Sequence, residues 1–203
     1  MNEISSNVNR KNDKYESILH AAFETFMEKG FHDTKMEEIA QKAGIGKGTI
    51  YEYFTSKKDL FCGMVKSIMT WYCNSLETAI INGKDFNDKI DNMMKLHMEF
   101  AAQANNLLKV MTHNFVHISS ELNRWMMDIR RKMISMVEEV FCQGIREGKI
   151  RQVDVHLVAL LFMASWKEIM FEEIIGESHD KSLEEIKDEA LGILLNGIAL
   201  RNI

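Results

Sequence analysis

Apolar residues recur at helical spacing along nearly the whole chain. Ile18, Leu19, Ala22, Phe23, Phe26 and Met27 share one face and predict a first helix that opens at Asn12 or Asp13 and closes at Gly30. Thr34 then stands as a helix cap, with Glu37 three residues on completing a capping box. Met36, Ile39, Ala40 and Ala43 make a short apolar face, and Gly44 stops that helix. After the turn at Ile45-Gly46, a second short helix runs from Lys47 to Phe54. Ile50 and Phe54 face inward there, and Lys47, Gly48, Thr49, Tyr51 and Tyr53 are left outward. Ser56, with Asp59 at the box position, opens a longer helix through Leu60, Met64, Val65, Ile68, Tyr72, Leu76 and Ile80 to Asn82-Gly83. At about 1.5 Å per residue it spans roughly 35–40 Å. Further amphipathic stretches predict helices over 85–104, 106–118, 120–147, 154–175 and 182–201, the last with a box formed by Ser182 and Glu185.

The pair of short helices joined by a tight turn is a helix-turn-helix, at about 34–54. Its second helix has the size and surface chemistry to enter a DNA major groove. The following helix carries Lys57 and Lys58 in its first turn, where the helix dipole disfavours cations by about 0.3–1 kcal/mol each. An external anion such as a DNA phosphate relieves that placement.

Composition sharpens the fold class. The 203 residues include no proline, 11 glycines and 15 methionines, and no stretch alternates with a period of two, so the chain reads as all-α. Residues 1–12 are polar and read as a flexible N-terminal tail, residues 13–60 as the helix-turn-helix head, and residues 61–203 as a second helical domain. The net charge is −5, with ten basic and ten acidic residues in 1–70 and fifteen against twenty in 71–203. From Lys42 to Lys58 four lysines face one glutamate, Glu52, a local +3. A small basic patch on a neutral head suits a specific binder better than a nonspecific cationic coat. Cys62, Cys73 and Cys142 show neither disulfide nor metal spacing, and the longest uncharged run, Val155–Trp166, is too short for a bilayer. A cytoplasmic protein with no membrane association is expected.

The residues ILHAAFETFMEKGFHDTKMEEIAQKAGIGKGTIYEYFTSKKDLF resemble the tetracycline-repressor (TetR) family of bacterial transcription regulators. The resemblance is strong over about a quarter of the chain. Beyond it lie only the helical layout and the GIREGKIR turn at Gly144–Arg151. The resemblance implies an all-helical homodimer joined through its last two helices, a small-molecule pocket in each C-terminal domain, and release of a palindromic operator when the ligand moves the long helix. It assigns DNA contact to Thr34 with its neighbour Lys35, to Lys47, Gly48, Thr49, Tyr51 and Tyr53, and to Lys57 beside a phosphate. Dimeric readers of this kind need heads roughly 34–36 Å apart.

For the second domain, methionine and aromatic residues suit an adaptable pocket for an apolar effector such as a drug, a fatty-acyl compound or a hydrophobic metabolite. The candidate lining is Trp71, Tyr72, Met94, His97, Phe100, Met111, Phe115, Trp125, Met126 and Trp166. The last two helices are apolar on more than one face, which calls for a partner chain through Leu157, Leu161, Ala164, Leu191, Leu194, Leu195 and Ile198. His113, His117 and Glu121 recur at four-residue spacing and offer a metal only if one helix runs through Ser119-Ser120. A C-terminal domain that binds a protein partner is the other alternative. No phosphate loop, zinc-protease motif or nucleophile elbow is present, so no catalytic residue, cofactor or bound metal is expected.

Overall fold

The computed structural model describes residues 2–114, 119–175 and 182–198, with side chains over 12–100, 119–165, 182 and 184–197. Among the described residues the eight elements are all helices: α1 (Asn2–Asp33), α2 (Met36–Lys42), α3 (Lys47–Tyr53), α4 (Lys57–Asn82), α5 (Phe86–Asn114), α6 (Ser120–Arg146), α7 (Val155–Ile175) and α8 (Leu183–Ile198). They fall into two compact units, residues 1–69 with 109–123 and residues 70–108 with 124–203. The head boundary expected at 60/61 lies inside α4, which runs on without a break. The first helix begins at Asn2, ahead of the Asn12 or Asp13 start, since NEISSNVNRKN holds neither proline nor glycine to interrupt it.

The first unit is built on the stripe read from the sequence. Ile18, Leu19, Ala22 and Phe26 of α1 are buried with Ile39 and Ala40 of α2, Ile50 of α3, and Leu60, Phe61, Met64 and Val65 of α4. Phe61 meets Phe26 and Phe31 edge-on at 5.4 and 5.2 Å between centroids. Tyr15 stacks on Phe54 at 5.2 Å and so fixes the end of α3 against α1. Deleting one such buried ring costs about 3–5 kcal/mol in comparable cores.

The turn between α2 and α3 depends on Gly44, whose φ of 68° only glycine adopts without strain. Ile45 N donates to Ala40 O at 3.0 Å and Gly44 N to Gln41 O at 3.1 Å, a Schellman closure that sets the angle of α3. The cap of α2 differs from expectation by one residue. Lys35 is the N-cap, with its backbone N–H donating to Glu38 Oε2 at 3.2 Å. Thr34 is buried, and its hydroxyl donates to Gly30 O at 2.7 Å. Gly30, at φ 77°, ends the regular run of α1 and leaves that carbonyl facing Thr34.

In the second unit α5 returns antiparallel to α4, as Tyr72 pairs with His97 and the Asn92 amide donates to Ala79 O at 3.1 Å. α6 is antiparallel to α5, with Lys89 Nζ donating to Gln143 at 2.6 Å and Phe86 N to Glu147 at 3.1 Å. The core holds Leu76, Phe86, Ile90, Met93, Met94, Val137, Phe141, Ala159 and Phe162. The helices expected over 85–104 and 106–118 are one helix ending at Asn114, because Asn105-Asn106 costs a helix less than about 1 kcal/mol per residue and no glycine or proline intervenes. Ser119 caps a new helix at Ser120, its hydroxyl accepting from Leu122 N at 3.3 Å. The single helix that His113, His117 and Glu121 needed to share a face is therefore interrupted. His117 lies outside the described residues, as does the side chain of His113. Ser182 and Glu185 form the expected box in both directions, at 2.7 and 3.3 Å.

Gly144 of α6 lies flat against Phe86, and a Cβ there meets the ring at 2.7 Å. Gly144→Ala is expected to lower the unfolding free energy by about 1–3 kcal/mol through overpacking. Urea denaturation checks this, and an unchanged midpoint rejects the close packing.

Candidate DNA-binding surface and effector site

Recognition chemistry in the first unit is presented by α3. Lys47 and Gly48 are exposed, Tyr51 is 45% exposed, and Thr49 and Tyr53 are half-buried. The helix is held from behind by Ile50 and Phe54, so these groups share the opposite side. Lys47 Nζ lies 2.5 Å from a Glu37 oxygen of α2. That hydrogen bond raises the lysine pKa and lowers the glutamate pKa. Glu37 thus occupies the first cation of α3, a pairing that spacing alone did not suggest.

Lys57 corrects the sequence-based expectation. Its ammonium points inward, donating to His32 O at 2.9 Å and Thr34 O at 2.8 Å, and stands 4.8 Å from the centre of the Phe31 ring. These acceptors and the ring offset the unfavourable helix dipole, so no outside anion is required at this residue. Thr34, buried with its hydroxyl on Gly30 O, likewise holds the corner together from within. Lys58 and Lys35 are exposed and make no ion pair among the described residues. Ser56 caps α4 as expected, accepting from Asp59 N at 3.1 Å, whereas the Asp59 carboxylate reaches Thr55 N at 2.9 Å.

In the second unit four of the expected pocket residues come together. Tyr72 and His97 are buried and hydrogen-bonded through the tyrosine hydroxyl and Nδ1. Phe100 packs on Tyr72 at 4.5 Å and Trp71 on Phe100 at 6.3 Å. Met94 is buried beside them in sequence on α5, and Trp125 and Met126 of α6 are half-buried. Phe115 lies outside the described residues, as do the side chains of Met111 and Trp166. Burial holds His97 down at about 4 and pushes Tyr72 up, so the pair is neutral at physiological pH. Phe162, which was not singled out from the sequence, closes on His97 at 6.0 Å and on Phe141 at 5.8 Å.

A groove of about 530 Å³ on the outer side of this cluster is walled by Trp71, Asn74 and Thr78 of α4 and Asn92, Lys95 and Glu99 of α5. Its walls are mixed, with Ala79 and Leu96 joining Trp71 beside these polar side chains. Among the described residues no cluster of three metal-ligating side chains occurs, and no helix is long and apolar enough to cross a membrane.

α7 has two apolar faces. Val158, Ala159 and Phe162 are buried, whereas Leu157 and Leu161 are 53% and 52% exposed and Ala164 is exposed as well. On α8, Leu191, Leu194 and Leu195 are half-buried and Ile193 is 73% exposed, while the side chain of Ile198 lies outside the described residues.

Residues 18–63 match the sequence profile of bacterial regulatory proteins of the tetR family, and residues 83–170 match that of a tetracyclin repressor-like C-terminal domain. The chain belongs to the TetR family. It is a helix-turn-helix transcription regulator, as its relatives are. The fatty acid metabolism regulator protein of Bacillus subtilis (strain 168) is 25% identical over 190 residues, covering 93% of this chain and 97% of that protein. The crystal structure of FadR from Bacillus subtilis in complex with stearoyl-CoA superposes with a TM-score of 0.74 at 25% identity, covering 91% of this chain and 99% of that one. The fatty acid degradation regulator FadR of Bacillus halodurans has the same fold, with a TM-score of 0.74 at 22% identity over 93% and 97% of the two chains.

Two outcomes are expected of this TetR-family site. Lys58→Ala should flatten the salt dependence of DNA binding by about one unit of slope. Lys57→Ala should leave that slope unchanged while lowering the stability of the head. A salt series with both variants tests this, and a flattened slope for Lys57→Ala contradicts the inward assignment. Separately, unfolding free energy should fall as pH drops from 6.5 to about 4. The unfolded imidazole takes a proton there that the buried one refuses, a loss of roughly 2–4 kcal/mol. His97→Leu should flatten this interval, and a wild-type pH slope in the variant contradicts the assignment.

Proposed function

We propose that this chain is a repressor that binds a palindromic operator as a dimer and releases it when a long-chain acyl compound, foremost an acyl-CoA thioester, occupies the second unit. The observation that carries this reading is the end-to-end similarity to a fatty acid metabolism regulator, together with the fold match to a FadR that holds stearoyl-CoA. The interior of the second unit supports it. Met93, Met94 and Phe162 are buried in the same interior as the neutral Tyr72–His97 pair, an apolar and adaptable setting.

DNA contact falls to Lys47, Gly48, Thr49, Tyr51 and Tyr53 of α3, with Lys35 and Lys58 on phosphates. Thr34 and Lys57 hold the corner that aims α3. Glu37 must yield Lys47 to a phosphate, a modest cost because both groups are solvent-exposed and water screens the pair. The uncovered stripe of Leu157, Leu161 and Ala164, with Leu191, Leu194, Leu195 and Ile198 of α8, is the dimer surface. α4 begins at the corner that Lys57 closes and carries Tyr72 further along. An effector bound beside Tyr72 therefore acts on the head through one helix. It releases DNA only to the extent that it favours the geometry that does not bind, and a full switch needs roughly 10⁴-fold selectivity between the two states.

The test is DNA binding by the purified protein, first with its own upstream fragment and then in a random-sequence selection. Sequence-selective binding with a steep salt dependence, abolished by stearoyl-CoA, is expected, along with thermal stabilisation by the thioester. Selective DNA binding that persists in saturating stearoyl-CoA, with no thermal shift, overturns the acyl effector. Failure to select any sequence overturns the operator reading.

A further inference from the structure

The core-facing stripe of α6 is interrupted in the first half of the helix. Met133, Ile134, Val137 and Phe141 are buried, at 6%, 5%, 0% and 0% exposure. Arg130 stands four residues after Met126, three before Met133 and seven before Val137, on the same helical stripe. It is nonetheless exposed, Met126 is only half-buried, and Met127 beside them is 67% exposed. Leu122, nearer the start of the helix, is buried at 2%, so the core-facing stripe is interrupted between Leu122 and Met133, and the residue in that gap is an arginine.

The neighbouring cations are engaged. Arg131 pairs with Asp128, and Lys132 Nζ pairs with Glu77 of α4 at 3.0 Å. Arg130 has no ion pair among the described residues. Among the described residues nothing pairs with this arginine at a core register, so neither packing nor an ion pair accounts for it.

Its level along the bundle is fixed by the same contacts. α4 and α6 both run antiparallel to α5 and hence parallel to each other, with Glu77 and Lys132 in register. Five residues back along each helix are Tyr72 and Met127. Arg130 is therefore within about one helical turn of the level at which Tyr72, His97 and Phe100 meet. An amphiphile with its chain among these rings and methionines brings its charged end to the edge of the cluster, and a guanidinium is suited to a carboxylate or phosphate there.

We propose that Arg130 is the head-group anchor of the second unit and binds the anionic end of a long-chain acyl ligand, either the phosphates of acyl-CoA or the carboxylate of a free fatty acid. The inference rests on the acyl-effector reading above and adds the residue that selects for a charged end.

The test measures binding of stearoyl-CoA, stearate and uncharged octadecanol to the full-length wild type and to Arg130→Gln. Arg124→Gln, on a different side of α6, serves as control. Loss of one charge-assisted contact is expected to weaken the anionic ligand about tenfold and leave octadecanol and the control unchanged. Loss confined to stearoyl-CoA identifies the phosphates, loss confined to stearate identifies the carboxylate, and loss of both supports an anchor shared by the two anions. Equal weakening of all three ligands, or of the control, marks a structural defect and overturns the anchor. An Arg130→Gln variant that weakens neither of the anionic ligands the wild type binds also overturns it. If the wild type binds none of the three, the acyl-effector reading itself fails and the anchor falls with it.

Discussion

Helix α4 has to serve two aromatic clusters with one apolar face, and much of the structure follows from that requirement. Its N-terminal part sets Phe61 between Phe26 and Phe31, and its C-terminal part sets Tyr72 against His97 and Phe100. Both sets must fall at helical spacing on the same 26-residue rod. There is no proline in it, and its one glycine, Gly63, lies where a Cβ meets the Phe54 ring at 2.8 Å. The rod's first residue, Lys57, is in turn fastened to the carbonyls of His32 and Thr34.

Charge in the head follows a similar economy. Most described lysines of the first unit already have acceptors: Lys29 with Glu38, Lys42 with Glu24 and Glu28, Lys47 with Glu37, Lys66 with Glu121, and Lys57 with two carbonyls. Exposed pairs of this kind are weak and readily exchange one anion for another, whereas the inward Lys57 is held by a geometry that a phosphate does not reproduce. The difference separates lysines that can follow DNA from one that shapes the surface. It also shows how a chain with net charge −5 can carry a DNA-binding head: the few uncommitted cations matter, and the total does not.

In the second unit the polar pair Tyr72–His97 sits within an otherwise apolar cluster. Burial raises the cost of charging either member, so the pair stays neutral while the rings around it remain in contact. α7 completes the cluster with Phe162 and leaves Leu157 and Leu161 on its other side, which is why its sequence is apolar nearly all round.

Most elements were legible in the residues because their signals are local. Gly44 needs a left-handed backbone, Ser56 and Ser182 accept from amides three residues on, and the stripe Ile18–Phe26 has helical period. The family motif lay in the same local stretch, as the matches over 18–63 bear out. Local patterns erred where two residues competed for one role. Thr34 is a good cap by type, but the Gly30 carbonyl claims its hydroxyl and the cap passes to Lys35. They erred also at 104–106, where polar residues read as a break in a helix that continues. Partners distant in sequence decided the rest: that Lys57 turns inward, that Glu37 holds Lys47, that Phe162 closes on His97, and that the groove beside Trp71 mixes polar and apolar walls. Helical periodicity states which face a residue occupies, and only packing states what that face meets.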